Sequence, residues 1–196
     1  MQIQVLDART RILGVEHPYT ISATAQLAVT YRYLGKYTEA EKMQIQVLDA
    51  RNRILGVEYP DTISAMAQLA VTYIYLGKYT EAEKLQIQVL DTSTRILGVE
   101  HPHTIIDMGH LAGIYQYLGK YTKAEKLQIQ VLDARNRILG VEHPHTTNAM
   151  GHLAVTYQNL GKYTKAEELA VQAQEKRDKF PGAEFPHMNP RDKGMK

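Results

Sequence analysis

Residues 14–55 read GVEHPYTISATAQLAVTYRYLGKYTEAEKMQIQVLDARNRIL, and close copies follow at a fixed interval. Gly14, Gly56, Gly98 and Gly140 are 42 apart, and so are Pro18, Pro60, Pro102 and Pro144. Gly35, Gly77, Gly119 and Gly161 keep the same spacing. A fixed period of this length marks a repeat architecture in place of one globular core. It excludes most enzyme folds, because an active-site cleft needs different segments in different places.

Within one unit the apolar spacing is helical. Ile21, Ala25, Ala28, Val29 and Leu34 recur at intervals of three and four, with Leu27 and Tyr31 beside them. Pro18 suits a first helical turn and Gly35 a C-terminal stop, so helix A is expected at about 18–34. Thr38-x-x-Glu41 has the capping-box pattern. Ala40, Met43, Val47, Leu48, Ile54 and Leu55 form a second stripe ending at Gly56, which places helix B at about 37–55. Both apolar faces are too wide for one partner, so neighbouring units must stack.

The stretch from Leu27 to Glu41 resembles a tetratricopeptide repeat, with Leu27, Ala28, Tyr31, Gly35, Tyr37 and Ala40 on its signature positions. The family's usual Trp is replaced by Thr24 or Met66. The junction R-I-L-G-V-E-H-P-x-T runs from Arg11 to Thr20 and again from Arg95 to Thr104, with Tyr59 in the His place of the copy between them. This longer unit resembles the 42-residue subtype of kinesin light chains and of C-terminal arrays in nucleotide-binding, immune-receptor-like proteins. The resemblance implies an all-α, right-handed superhelical solenoid of antiparallel helix pairs, with nine helices in four and a half repeats.

The expected organisation follows from the period. Residues 1–13 are a half repeat, helix B alone, since they copy 43–55. Residues 14–55, 56–97 and 98–139 are repeats 1 to 3, and 140–179 is repeat 4 with a capping last helix. Gln174 stands where Leu48, Leu90 and Leu132 stood, as an outer face requires. Residues 180–196 read as a tail, which Phe180 and Phe185 could pin to the last helix. At the other end Ile3, Val5, Leu6, Ile12 and Leu13 keep an interior apolar pattern. Either the chain is a fragment of a longer array or it covers this face by pairing. Pairing makes residues 1–13 a self-association site and the chain a homodimer.

Function is read from where the repeats disagree. Among repeats 1 to 3, helix B differs at 5 of 19 positions and helix A at 9 of 17, so the variation has collected on helix A. By resemblance, helix A lines the concave surface of the array. In repeat 1 this face carries Gln26, Val29, Arg32 and Tyr33; in repeat 2, Gln68, Val71, Ile74 and Tyr75. Repeat 3 places His110, Gly113, Gln116 and Tyr117 there; repeat 4, His152, Val155, Gln158 and Asn159. Residues three and four apart share a helix face. The resulting surface is rich in aromatics and amides with little charge, suited to a peptide. The bland alternative is drift on an exposed face after duplication. Arg32 is the one cation of the set, which disfavours a clamp for a carboxylate terminus.

Other chemistry is thinly represented. The chain has no cysteine and a net charge of +2, which offers neither thiolate ligands nor a field for nucleic acid or membranes. His101, His103 and His110 recur as His143, His145 and His152, but no carboxylate partner is fixed and no His-x3-His pair occurs. Gly113 to Lys120 mimics a phosphate loop with the wrong spacing, inside helix A. The ladders Lys36, Lys78, Lys120, Lys162 and Arg11, Arg53, Arg95, Arg137 are balanced by Glu41, Glu83, Glu125 and Glu167. Neither metal nor cofactor is expected, and no catalysis. The expected protein is a cytoplasmic, protein-binding scaffold within a larger sensor or adaptor. The alternative is a structural element that assembles through residues 1–13.

Overall fold

A computed structural model describes residues 2–179. Among these residues the chain forms nine α-helices and no strands. They are α1 (Gln2–Leu13), α2 (Pro18–Tyr33), α3 (Tyr37–Leu55), α4 (Pro60–Tyr75), α5 (Tyr79–Leu97), α6 (Pro102–Tyr117), α7 (Tyr121–Leu139), α8 (Pro144–Asn159) and α9 (Tyr163–Lys179). Phe180 and Phe185 lie outside the described residues.

Three of the four A helices start with one construction. Pro18 has no N–H, so the first donor to satisfy belongs to Tyr19, and the Nδ1 of His17 accepts it at 3.2 Å. His101 and His143 cap the residues two positions on, His103 and His145, at the same distance. Tyr59 holds this place before α4 and makes no side-chain cap bond.

The A-to-B turn is a Schellman closure. Lys36 N–H donates to Tyr31 C=O at 2.9 Å and Gly35 N–H to Arg32 C=O at 3.0 Å, with φ of +75° at Gly35. The same two bonds recur at Gly77, Gly119 and Gly161. The capping box expected at Thr38 and Glu41 does not form. Helix α3 already begins at Tyr37, and its N-cap, Lys36, makes no side-chain cap bond. Lys36 ends one helix with its N–H and opens the next with its C=O, which accepts Ala40 N–H at 3.0 Å. That leaves no separate cap position for Thr38. The Glu41 carboxylate instead accepts from Lys78 Nζ at 2.6 Å. The B helices end differently: Gly56 has φ 88° and ψ 164°, a region open almost only to glycine.

The chain divides after Asp107 into two compact units. In the first, α1 packs on α2, α2 on α3, α3 on α4 and α4 on α5. Ala28, Ala40 and Ala82 are fully buried, and such small side chains let helices approach closely. Ile21, Val47 and Ala65 form one cluster with Ala25, Leu48 and Ala50, so the core runs from one 42-residue unit into the next. Arg9 and Arg51 donate to the carbonyls of Tyr19 and Asp61 at 3.0 and 2.8 Å. Ser93 replaces this arginine in α5, and its hydroxyl instead donates to the buried Asp107 carboxylate at 2.7 Å. In the second unit α7 packs on α8 and α8 on α9 around Ala112, Ile114, Ala124, Val131 and Leu153.

Ion pairs cross between successive units of the period. Glu41–Lys78 and Glu58–Arg95 close at 2.6 Å in the first compact unit, and Glu125–Lys162 at 2.6 Å in the second. The hydrogen bond from Arg95, and then its charge, hold the Glu58 carboxyl below the usual glutamate range. Such surface pairs contribute little each; they fix which residues meet.

Helix α1 has no buried residue. Most of its exposed apolar groups are exposed throughout the array: Ile45, Ile87 and Ile129 match Ile3, and Leu55, Leu97 and Leu139 match Leu13. The stripe expected to be interior is therefore mostly an outer face of the B helices. Val5 is the exception, 41% exposed where Val47, Val89 and Val131 are at most 4%.

Two predictions test these caps. A Cβ at Gly77 or Gly98 meets nothing within 4 Å, so any cost there is backbone strain alone. Gly77→Val is expected to cost about 1 kcal/mol or more in urea denaturation, and Gly98→Asn more than Gly77→Asn, since asparagine tolerates left-handed geometry but not ψ near 160°. His143→Ala is expected to lose about 1 kcal/mol, and Tyr59→His to gain a similar amount by restoring the missing cap.

Candidate functional site

The 16 positions singled out on the A helices all retain solvent access. In the first unit, α2 supplies Gln26, exposed, and Val29 and Arg32, half-buried. Tyr33 closes the helix at 81% exposure, with the Arg32 guanidinium 5.4 Å from its ring centre. From α4 come Gln68, Val71, Ile74 and Tyr75, all half-buried.

These residues are brought together more tightly than the spacing alone implied. Arg32 Nη2 donates to Gln68 Oε1 at 3.0 Å, so the one cation of the set and an amide are already engaged with each other. Tyr75 lies flat against Tyr37, centroids 4.9 Å apart and planes 5° apart. Gln26, Val29 and Gln68 line one cavity of about 430 Å³. Its other walls come from Ala25 and Thr30 of α2, Ser64 and Ala65 of α4, Gln2 of α1, and Gln44, Val47 and Arg51 of α3. Residues of α3 were absent from the sequence-derived set. The available signal was a glutamine recurring at 44, 86 and 128 between apolar residues of the helix B stripe.

In the second unit Gln116 Nε2 donates to the His152 carbonyl at 3.3 Å and to Thr156 Oγ1 at 2.7 Å. His110 is exposed and His152 half-buried, and each has further interactions. Gly113 is half-buried; Tyr117, Val155, Gln158 and Asn159 are exposed. Asn159 Nδ2 turns back to the Val155 carbonyl at 2.8 Å. The amides of this face thus divide into those already hydrogen-bonded, Gln68 and Gln116 among them, and exposed ones such as Gln26.

The histidines serve as helix caps at 17, 101 and 143. Burial, and then the charges of Arg135 and His143, hold the His145 imidazole below its ordinary value. Among the described residues no three His, Cys, Asp or Glu side chains are grouped to hold a metal ion. None of the described helices is long and apolar enough to cross a membrane.

Comparison with known proteins agrees with this architecture. The sequence profile of the tetratricopeptide repeat family matches residues 1–53, 21–85, 61–115 and 105–179. No curated protein matches the chain. Among solved structures, it is similar to a Podosopora anserina protein described as a kinesin light chain with nearly identical TPR-like repeats. That protein is 29% identical with a TM-score of 0.81, over 93% of this chain and 86% of the other. A single-substitution variant of the same protein gives 28% identity and a TM-score of 0.82 over the same shares. BtubC (BKLC) of P. vanneervenii shares the fold at 21% identity, TM-score 0.80, over 97% of this chain and 74% of the other. The tetratricopeptide scaffold is a non-catalytic interaction fold. With profile matches running unbroken from residue 1 to 179, the chain belongs to the tetratricopeptide repeat family, as a kinesin-light-chain-like array and a protein–protein interaction module.

Proposed function

We propose that the A helices form the binding face, taking a segment of a partner protein as part of a larger sensor or adaptor. One observation carries this reading. Three of the eight positions named on α2 and α4, Gln26, Val29 and Gln68, line one cavity, while α3, α5 and α7 differ from one another at 5 of 19 positions against 9 of 17 for the A helices. Half-buried tyrosine offers a large contact area at low entropic cost, and an amide can meet a peptide backbone in either sense. The charge on this face is small, so recognition rests on shape and amide hydrogen bonds.

The test is selection of a displayed library of linear peptides against the full chain. Changing Tyr75 and Tyr117 to alanine is expected to abolish capture with helical content intact in circular dichroism. Changing the exposed Lys84 and Lys126 of α5 and α7 is expected to do little. Equal loss from both pairs moves the site off the A helices.

A second reading, homo-association through α1, is carried by Val5. Covering a side chain of that size contributes roughly 1.5–3 kcal/mol. Light scattering should show mass rising with concentration, and Val5→Glu should return a monomer. A monomer at every concentration overturns it.

A further inference from the structure

Gln44 lies on α3 in the wall of the cavity, between α2 and α4. It is 4% exposed, and neither Nε2 nor Oε1 has a hydrogen-bond partner. The same residue one period on, Gln86, is equally buried but donates through Nε2 to the Asp107 carbonyl at 3.2 Å. Stranding both ends of a buried amide costs stability, and within the fold neither amide atom of Gln44 finds a partner.

The chemistry of that group follows from the amide. Gln44 offers a donor and an acceptor side by side in one plane. A carboxylate answers only the donor and sets oxygen against oxygen. An ammonium or guanidinium answers only the acceptor. A carboxamide presents the complementary pair and satisfies both atoms at once. The walls agree: Ala25, Val29, Val47 and Ala65 are apolar, and no carboxylate lines the space. The one charged group, Arg51, gives one of its five N–H donors to the Asp61 carbonyl at 2.8 Å, so the glutamate comparator below decides between an amide and a carboxylate occupant. A cavity of about 430 Å³ is of ligand-binding size. The glutamine side chain has three rotatable bonds, so presenting its amide to an occupant requires no backbone change.

We infer that this cavity is a specificity pocket for an asparagine or glutamine side chain of the bound segment, read by a paired hydrogen bond to the Gln44 amide. The inference rests on the A-helix face being the binding face, and it adds α3 to the residues that read the partner. Gln26 and Gln68 line the same cavity from the two A helices.

The experiment titrates the full chain with N-acetyl-glutamine N-methylamide, following the side-chain NH2 resonances of Gln44 and Gln86 by NMR. The N-methylamides of N-acetyl-glutamate and N-acetyl-leucine serve as comparators. All three probes carry the same two backbone amides and differ only in side chain. The expected result is a saturable shift at Gln44, with at least ten-fold weaker response to the comparators and none at Gln86. Equal shifts from all three would mean that the cavity takes backbone amide, and no shift would mean that it takes nothing; either overturns the pocket. A fold-level control accompanies it. Gln44→Leu removes an unpartnered amide and is expected to raise Tm, whereas Gln86→Leu removes the hydrogen bond to the Asp107 carbonyl and is expected to lower it. Equal losses would show that Gln44 is bonded inside the protein, and the inference falls. Peptide capture that survives Gln44→Leu without enrichment of Asn or Gln would overturn the pocket and leave the A-helix face standing.

Discussion

Each A helix ends on a glycine with positive φ, and the B helices α1, α3, α5 and α7 end on another, so the chain reverses twice in every 42 residues. The two reversals differ in kind. At Gly35 the left-handed residue completes a pair of crossed hydrogen bonds, and Lys36 passes directly from the end of one helix to the start of the next. At Gly56 the backbone enters a region that other residues hardly reach. Helix lengths, and therefore which side chains face a neighbour, are set between these fixed points. Without them the apolar stripes would have no common register.

Register then decides packing. The fully buried positions include alanines in both helices of a pair, so close approach of backbones matters there as much as side-chain volume. Larger groups such as Leu27, Val47 and Leu69 are buried as well, and the cluster of Ile21, Val47 and Ala65 joins two successive units. The joint between α5 and α6 has its own solution. Ser93 and Asp107 replace the arginine-to-carbonyl bond used elsewhere, and they do so by a buried hydrogen bond instead of an exposed one. Surface charge adds alignment with little energy.

The period, the glycines and the prolines made the helices legible, because each is a local backbone constraint visible in single residues. Helix A was expected at 18–34 and spans Pro18–Tyr33; helix B was expected at 37–55 and spans Tyr37–Leu55. The capping box at Thr38 was misread because a motif of four residues cannot reveal that Lys36 already serves both helices. The α1 stripe was misread for a related reason. Helical spacing shows which residues share a face, but not how much of that face a neighbour covers, and Ile45, Ile87 and Ile129 are exposed in every unit. The role of Gln44 was hidden because four identical glutamines, at 2, 44, 86 and 128, occupy one position, and only their surroundings set them apart. The tyrosine pair Tyr37 and Tyr75 was likewise invisible, since the rings come from positions 38 residues apart.

The ion pairs carry a consequence for how such a gene can change length. Glu41 meets Lys78, Glu58 meets Arg95 and Glu125 meets Lys162, always 37 residues on. An insertion or deletion of one whole period brings an equivalent glutamate and lysine back into reach at the new junction. An indel of any other length separates them and shifts the glycines out of phase as well. Recombination between near-identical units is therefore tolerated in steps of 42 residues, and the array can lengthen or shorten without designing a new joint. Ser93 and Asp107 mark the one joint in the first compact unit that has left this interchangeable state, because each now needs the other.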